Sequence, residues 1–179
     1  MSNLEEAAAT ACREVRQSVI RLAAANGAEI REKPLWPGAH SVVRYAEPLA
    51  GIRAGIVVSS AAQREVRDYL ARAREDGVPW LEIGRALRLE TGVREPYDVA
   101  VAAFERAAGE SIRGLRPSFG FTCGSCGQHI SDLGPYEAAP DNTEEGHAED
   151  CTQMAEAVRA YRAQWEDDGG LQLLLVECA

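Results

Sequence analysis

The chain has 179 residues, 46 % of them hydrophobic and 26 % charged, which suits one globular domain with a sizeable core, or one domain plus a small appended module. No run approaches the ~18 apolar residues of a membrane span, and the opening MSNLEEAAATACREVRQ has acids and arginines where a secretory leader carries basic and then apolar residues. The composition therefore predicts a cytoplasmic protein with no membrane partner, whose five cysteines are reduced thiols, the odd count itself arguing against a closed disulfide set.

The net charge of −9 is unevenly spread. Residues 1–60 hold seven basic and six acidic side chains, residues 61–118 ten of each, and residues 119–179 two arginines against twelve acids, or −10. The last third would thus repel a phosphate backbone. Lys33 stands alone beside eighteen arginines, which we read as a coding bias before a functional choice.

In chain order, residues 3–26 predict an amphipathic helix, with Leu4, Ala8, Ala11 or Cys12, Val15, Val19 and Leu22 at spacings of three and four and Gly27 as its stop. That stripe would serve a dimer or an intramolecular core equally well, and the oligomeric state stays open. KPLWPGAHSVVRYAEP, with three prolines and a glycine, predicts a loop or a short extended piece, and His40 in it an exposed side chain. A second helix is expected over about 49–75, burying Ile52, Ile56, Val66, Leu70 and Ala73. The β-branched cluster in GIVVSS would also suit a short strand. After Asp76-Gly77, a short helix is expected from Pro79 to Leu87, with proline in its first turn, where the missing N–H does no harm. A further helix runs from Glu95-Pro96 to Ala108. GLRPSFGF, residues 114–121, then reads as a linker.

Beyond the linker, TCGSC and HAEDC carry the chemistry. Cys123 and Cys126 are separated by two residues and flanked by Gly124 and Gly127, so one tight turn can aim both thiolates at one ion. Twenty residues on, His147 and Cys151 stand at i and i+4, which on a helix places both on one face. Asn142 with Glu145 three residues later approximates the capping box that would start that helix. An apolar stripe continues from the ligands through Met154, Val158, Tyr161 and Trp165. Cys123, Cys126, His147 and Cys151 make a Cys3His set whose natural occupant is tetrahedral Zn²⁺. Four protein ligands leave no position for water or substrate, which argues for a structural ion. His129 is the rival ligand, but choosing it would leave the His147/Cys151 pair without purpose. Residues 119–179 are too few for a strong core, so zinc would add folding energy on the order of 10 kcal/mol. Cys12 and Cys178 read as buried small hydrophobes.

ARAREDGVPWLEIGRALRL resembles the first half of bacterial helix-turn-helix modules, with Trp80, Leu81, Ile83 and Leu87 as packing residues and Gly84 allowing close helix approach. The larger order, from about Val66 to Trp165, resembles small uncharacterised actinobacterial proteins that join a degenerate helix-turn-helix to a C-terminal zinc segment of the form TCxxCGQ…DxGPY…EEGHxxDC. That resemblance implies a zinc-binding, DNA-associated or regulatory protein and no transferable enzymatic activity. This chain departs from the module at Arg88, which replaces the turn glycine. It departs again in RLETGVRE, which lengthens the turn, and in Glu95 and Asp98, acids at the end of the recognition helix that should meet phosphates. Arg85, Arg88, Arg94 and Arg106 are the candidate DNA-contacting residues.

The expected fold is mainly α. A helical domain, residues 1–118, would carry the helix-turn-helix-like segment at about 61–109. An acidic zinc module, residues 119–179, would be ββα or treble-clef-like. No P-loop, dinucleotide glycine fingerprint or hydrolase triad is evident. A zinc deaminase would need His-x-Glu ahead of its cysteine pair and an open metal position, so no enzyme is expected. The leading reading is a regulator that binds DNA through the helical domain. The alternative is an adaptor that never meets DNA and presents its acidic C-terminal module to a basic protein.

Overall fold

The computed structural model describes residues 3–90, 95–109, 117–136 and 139–167. Arg94, Cys178, the first residues of the expected linker and the Trp165 side chain lie outside what is described. The fold is mainly α, with six helices and five short strands among the described residues. No described helix is long and apolar enough to cross a membrane. The chain divides into two compact units, residues 1–66 and 67–179.

The first unit opens with α1 (Asn3–Ala25), followed by β1 (Ile30–Pro34), β2 (Val42–Ala46) and the start of α2 (Pro48–Glu75). β1 and β2 form an antiparallel hairpin with Ile30 opposite Ala46 and Pro34 opposite Val42. Composition alone suggested only a loop or extended piece here. The prolines tolerate the ladder because Pro34 closes β1, Pro37 lies in the turn and Pro48 begins α2. GIVVSS is helical.

The buried side chains of this unit are small: Ala23, Ala46 and Ala54, with Val19, Leu22, Ala28, Ile30 and Ala50 packed around them. On α2 this departs from the expectation for Ile52, Ile56 and Val66, whereas Leu70 is buried and Ala73 half-buried as expected. Ile52, Ile56 and Val66 are 60, 61 and 44 % exposed, because the helix turns its alanine face inward, where small side chains let it approach Ala46 and Ala23. Cys12 is likewise exposed rather than buried. Of α1, only the last two turns meet the core, and residues 5–17 are exposed throughout.

The second unit takes the last turns of α2, then α3 (Trp80–Ala86), α4 (Pro96–Ala108), β3 (Phe119–Thr122), β4 (His129–Asp132), α5 (Pro140–Thr143), β5 (Glu144–Glu145) and α6 (Thr152–Asp167). The three strands make an antiparallel sheet in the order β3-β4-β5. Alternation along β3 buries Phe119 and Phe121, and along β4 Ile130 and Asp132. Phe119, Phe121 and Ile130 join Leu70, Trp80, Ile83, Phe104 and the α4 alanines Ala100, Ala103 and Ala107 in one core that also contains Cys123 and Cys151. Trp80 stands edge-on to Phe104 at 5.4 Å and to Phe119 at 5.5 Å, an arrangement worth about 1 kcal/mol per pair beyond the area buried. The expected boundary at 118/119 therefore falls inside this unit, since Phe119 packs on Trp80 and the helices lend the sheet its core.

The α3–α4 approach is as close as Gly84 suggests: a Cβ there would stand 2.6 Å from Val99 Cγ1 and 2.8 Å from Val99 O. Arg88, in the turn after α3, has a left-handed backbone with φ 56°, a region that side chains other than glycine seldom adopt.

Candidate metal centre

Cys123 follows directly from β3, and the turn into β4 is closed by Cys123 N–H donating to Gln128 O at 2.9 Å and Gly127 N–H to Cys123 O at 2.8 Å. This turn brings the Cys123 and Cys126 thiols to one side. His147 and Cys151 come from beyond β5. They are not on a helix, contrary to the sequence reading: α5 is a single turn, β5 follows it, and α6 begins only at Thr152. Asn142 consequently lies inside α5 and caps nothing. The cause is Gly146, with φ 107°, whose Cα sits so close to β4 that a Cβ would be 2.6 Å from His129 O. Pairing with β4 holds residues 144–145 extended, and the helix starts only after that constraint ends.

The four side chains nonetheless converge. One ligand atom from each of Cys123, Cys126, His147 and Cys151 lies within 4.8 Å of all the others. Cys123 Sγ is 3.7 Å from Cys151 Sγ, and His147 Nδ1 is 3.3 Å from Cys151 Sγ and 3.8 Å from Cys126 Sγ. A tetrahedron with metal–sulfur bonds of about 2.3 Å has S···S edges of about 3.8 Å, so the donors stand close enough to hold a metal ion. His129 is not part of it. It is exposed on β4, with its ring over Gly120.

Electrostatics prepare two of the donors, Cys126 and Cys151, for this role. The Cys126 thiol is brought down to about 6, mainly by the backbone N–H groups of Ala148 and Gln128. Burial pushes the Cys151 thiol up, but the Met154 N–H, at the start of α6, and His147 outweigh it and leave it below its ordinary value. Cys123, 1 % exposed, is held above its ordinary value chiefly by burial. A metal ion would reverse that, since a coordinated thiol is deprotonated outright. Burial opposes a charged His147, yet its hydrogen bonds, led by that to Glu144, hold its pKa above the usual value.

Behind the donors lies a buried set that the sequence reading missed. His147 Nε2 is 3.0 Å from Glu144 Oε2, which leaves Nδ1 facing the thiols. This is the carboxylate–histidine arrangement that fixes ring orientation at metal sites. The other Glu144 oxygen, Oε1, accepts from Arg74 Nη2. Arg74, 5 % exposed, also donates Nε to Asp132 Oδ2 at 3.1 Å and Nη1 to Val78 O at 2.7 Å. Its guanidinium lies over the Trp80 and Phe121 rings. Asp132, 2 % exposed, accepts further from Trp80 Nε1 and Gly134 N–H, each at 2.8 Å. Burial pushes its carboxyl above the usual range while Arg74, Gly134 and Trp80 work against that. With three N–H donors on its oxygens it is the carboxylate. The legible signal was Arg74 itself, a charge four residues beyond Leu70 on the face of α2 that enters the core.

Two further contacts tie the cluster to the end of α2. Gly124 N–H donates to Glu75 O at 3.1 Å. The Gln153 amide, from α6, donates to Glu75 O at 3.2 Å and accepts from Gly77 N–H at 3.1 Å. Ser125 and Thr152 hydroxyls meet at 2.8 Å, joining the turn to the start of α6.

The candidate DNA-contacting arginines do not gather in the same way. Arg85 pairs with Glu90 at 2.9 Å on the surface, Arg88 serves the turn after α3, and Arg94 lies outside the described residues. Arg106 is exposed on α4, on an outer side shared with Asp98 and Glu105. No family model, curated protein or solved structure matches this chain.

Proposed function

We propose that the cluster holds Zn²⁺ as a structural ion and that the protein is a zinc-stabilised regulatory adaptor, working through a protein partner rather than by reading DNA. The observation that carries this is the donor set: three sulfurs and one imidazole nitrogen within 4.8 Å of one another, with the imidazole oriented from behind by Glu144. Thiolate-rich tetrahedral sites select zinc among the divalent ions freely available to a cell, and a filled coordination sphere offers no place for substrate. The order of turn, hairpin and ligand at a helix start is treble-clef-like, and the α3–α4 pair is helix-turn-helix-like in its close crossing at Gly84.

Two observations favour the adaptor over the DNA-binding regulator. The exposed side of α4, the helix that would enter a groove, sets Asp98 and Glu105 against Arg106. The segment from residue 119 onward adds a charge of −10. A basic protein surface is the complementary partner. The test is elemental analysis for one zinc per chain, followed by anisotropy of labelled duplex DNA titrated with the zinc-loaded protein at low salt. One zinc and no DNA binding is the expected result. DNA binding that weakens steeply with salt would return the function to the regulator reading.

A further inference from the structure

The first unit leaves two apolar stripes uncovered, and their chemistry says what covers them. α1 spans 23 residues, about 35 Å at 1.5 Å per residue. Val19 and Leu22 at its C-terminal end pack on the alanine core. The same stripe continues through Val15, Ala11 and Ala8, all of them exposed. Helix that overhangs its own core has only propensity to hold it, which is marginal over so few turns. α2 complements it. Leu49, Ile52, Ile56 and Val66 recur at helical spacing on the face opposite Ala50 and Ala54, and they are 61, 60, 61 and 44 % exposed. A unit whose buried core is three alanines, while its large aliphatic side chains face outward, is half of a hydrophobic core.

Charge decides between occupants. The overhang, residues 3–14, carries Glu5, Glu6 and Glu14 against Arg13, a balance of −2. The open face of α2, residues 49–67, carries Arg53, Arg64 and Arg67 against Glu65, a balance of +2. By helical spacing Arg53, Arg64 and Arg67 fall along one edge of that face, and among the described residues none has a carboxylate partner. Glu5 and Glu14 flank the α1 stripe. A second copy of this chain brings each acidic overhang to the other's basic, apolar face, and the exchange is reciprocal about a two-fold axis, the commonest symmetry of soluble oligomers.

We propose that residues 3–67 form the interface of a homodimer, with the N-terminal half of α1 of one protomer lying on the Leu49–Arg67 face of α2 of its partner. Sedimentation equilibrium of the full zinc-loaded chain is the test, with a species of twice the 19.4 kDa protomer mass expected. Ile52→Glu with Ile56→Glu should weaken association at least 100-fold. Because both side chains are exposed in the protomer, the second unit and its zinc content should not change. Arg53→Glu with Arg67→Glu should also dissociate the dimer, and adding Glu5→Arg with Glu14→Arg should restore it. A wild-type monomer at every soluble concentration overturns the proposal. So does a dimer indifferent to the isoleucine changes, or a charge reversal that fails to restore association, which would point to an interface elsewhere.

Discussion

Replacing Arg74 by methionine isolates the buried charge set on which the second unit is built. The guanidinium is 6 % exposed and its partners Asp132 and Glu144 are 2 and 15 % exposed at the side chain, so water does little to screen the loss. Removing one member of such a group leaves the others buried without counter-charge, at a cost of about 3–5 kcal/mol. Here the penalty is compounded, because Asp132 and Glu144 are direct partners across β4 and β5, where like charges repel. Val78 O also loses its donor. Methionine would recover some apolar contact with Trp80 and Phe121, worth no more than about 1 kcal/mol. We therefore expect Arg74→Met to lose about 3–5 kcal/mol, a fifth or more of a typical total of about 5–15 kcal/mol. Denaturant unfolding in excess zinc measures it without confusing it with loss of the ion. Adding Asp132→Asn should return part of the loss, since one uncompensated charge is then gone. A single-variant loss below about 1 kcal/mol, or a double variant no more stable than the single, would refute the reasoning.

Chelation should remove about 10 kcal/mol of folding energy and disturb Trp80, whose indole N–H is bonded to Asp132. In a variant with Trp36 and Trp165 changed to Phe, the emission should shift on chelation and recover on adding zinc, and an unmoved spectrum would separate the ion from the core. Glu144→Gln should lower zinc affinity about 10- to 100-fold in competition with a chromogenic chelator, as loss of a carboxylate behind a metal-bound histidine does. Unchanged affinity would mean that His147 is oriented by its neighbours alone. Gly84→Ala forces a methyl into Val99 and should cost about 1–3 kcal/mol, measured by thermal unfolding; a neutral result would show that α3 and α4 can part freely. For pH, the lowered Cys126 thiol is ionised at neutral pH, so its contribution to holding an ion is present above about 6 and lost as pH falls through that value. Zinc affinity should then steepen by a further tenfold per pH unit below about 6, and a plot with no change of slope there would contradict the assignment.

The parts of this molecule written in local spacing were legible. The Cys123/Cys126 and His147/Cys151 pairs identify the cluster because each pair is held by a few residues of chain. Gly84 announced the helix contact because only a missing side chain allows it. The half-buried stripe Met154, Val158 and Tyr161 follows period 3.6 in α6 as expected. The features that depend on distant partners were not legible. The i, i+4 spacing of His147 and Cys151 fits a helix, but Gly146 is pinned against His129 O by a strand seventeen residues back, and nothing local records that. Period alone cannot say which face of α2 turns inward when one is aliphatic and the other alanine. The hairpin at 30–46 hid behind prolines that occupy its ends and turn. Arg74 meets Asp132 58 residues later and Glu144 70 residues later, a separation at which charge pattern along the chain carries no information.

That same contrast of separations bears on the order of folding. Each half of the metal cluster closes within three or four residues, and the two halves are joined by a segment of about 20, which a chain can close on the order of 0.1 μs. The Arg74 pairs must wait for far longer segments to meet, and long-range closure is what slows folding. The ion is therefore expected to be captured before the charges behind it are matched, by a chain whose helices have yet to dock. Cobalt substituted for zinc would report this in stopped-flow: its thiolate absorption should rise ahead of the Trp80 signal, whereas simultaneous appearance would mean that the cluster forms only with the finished core.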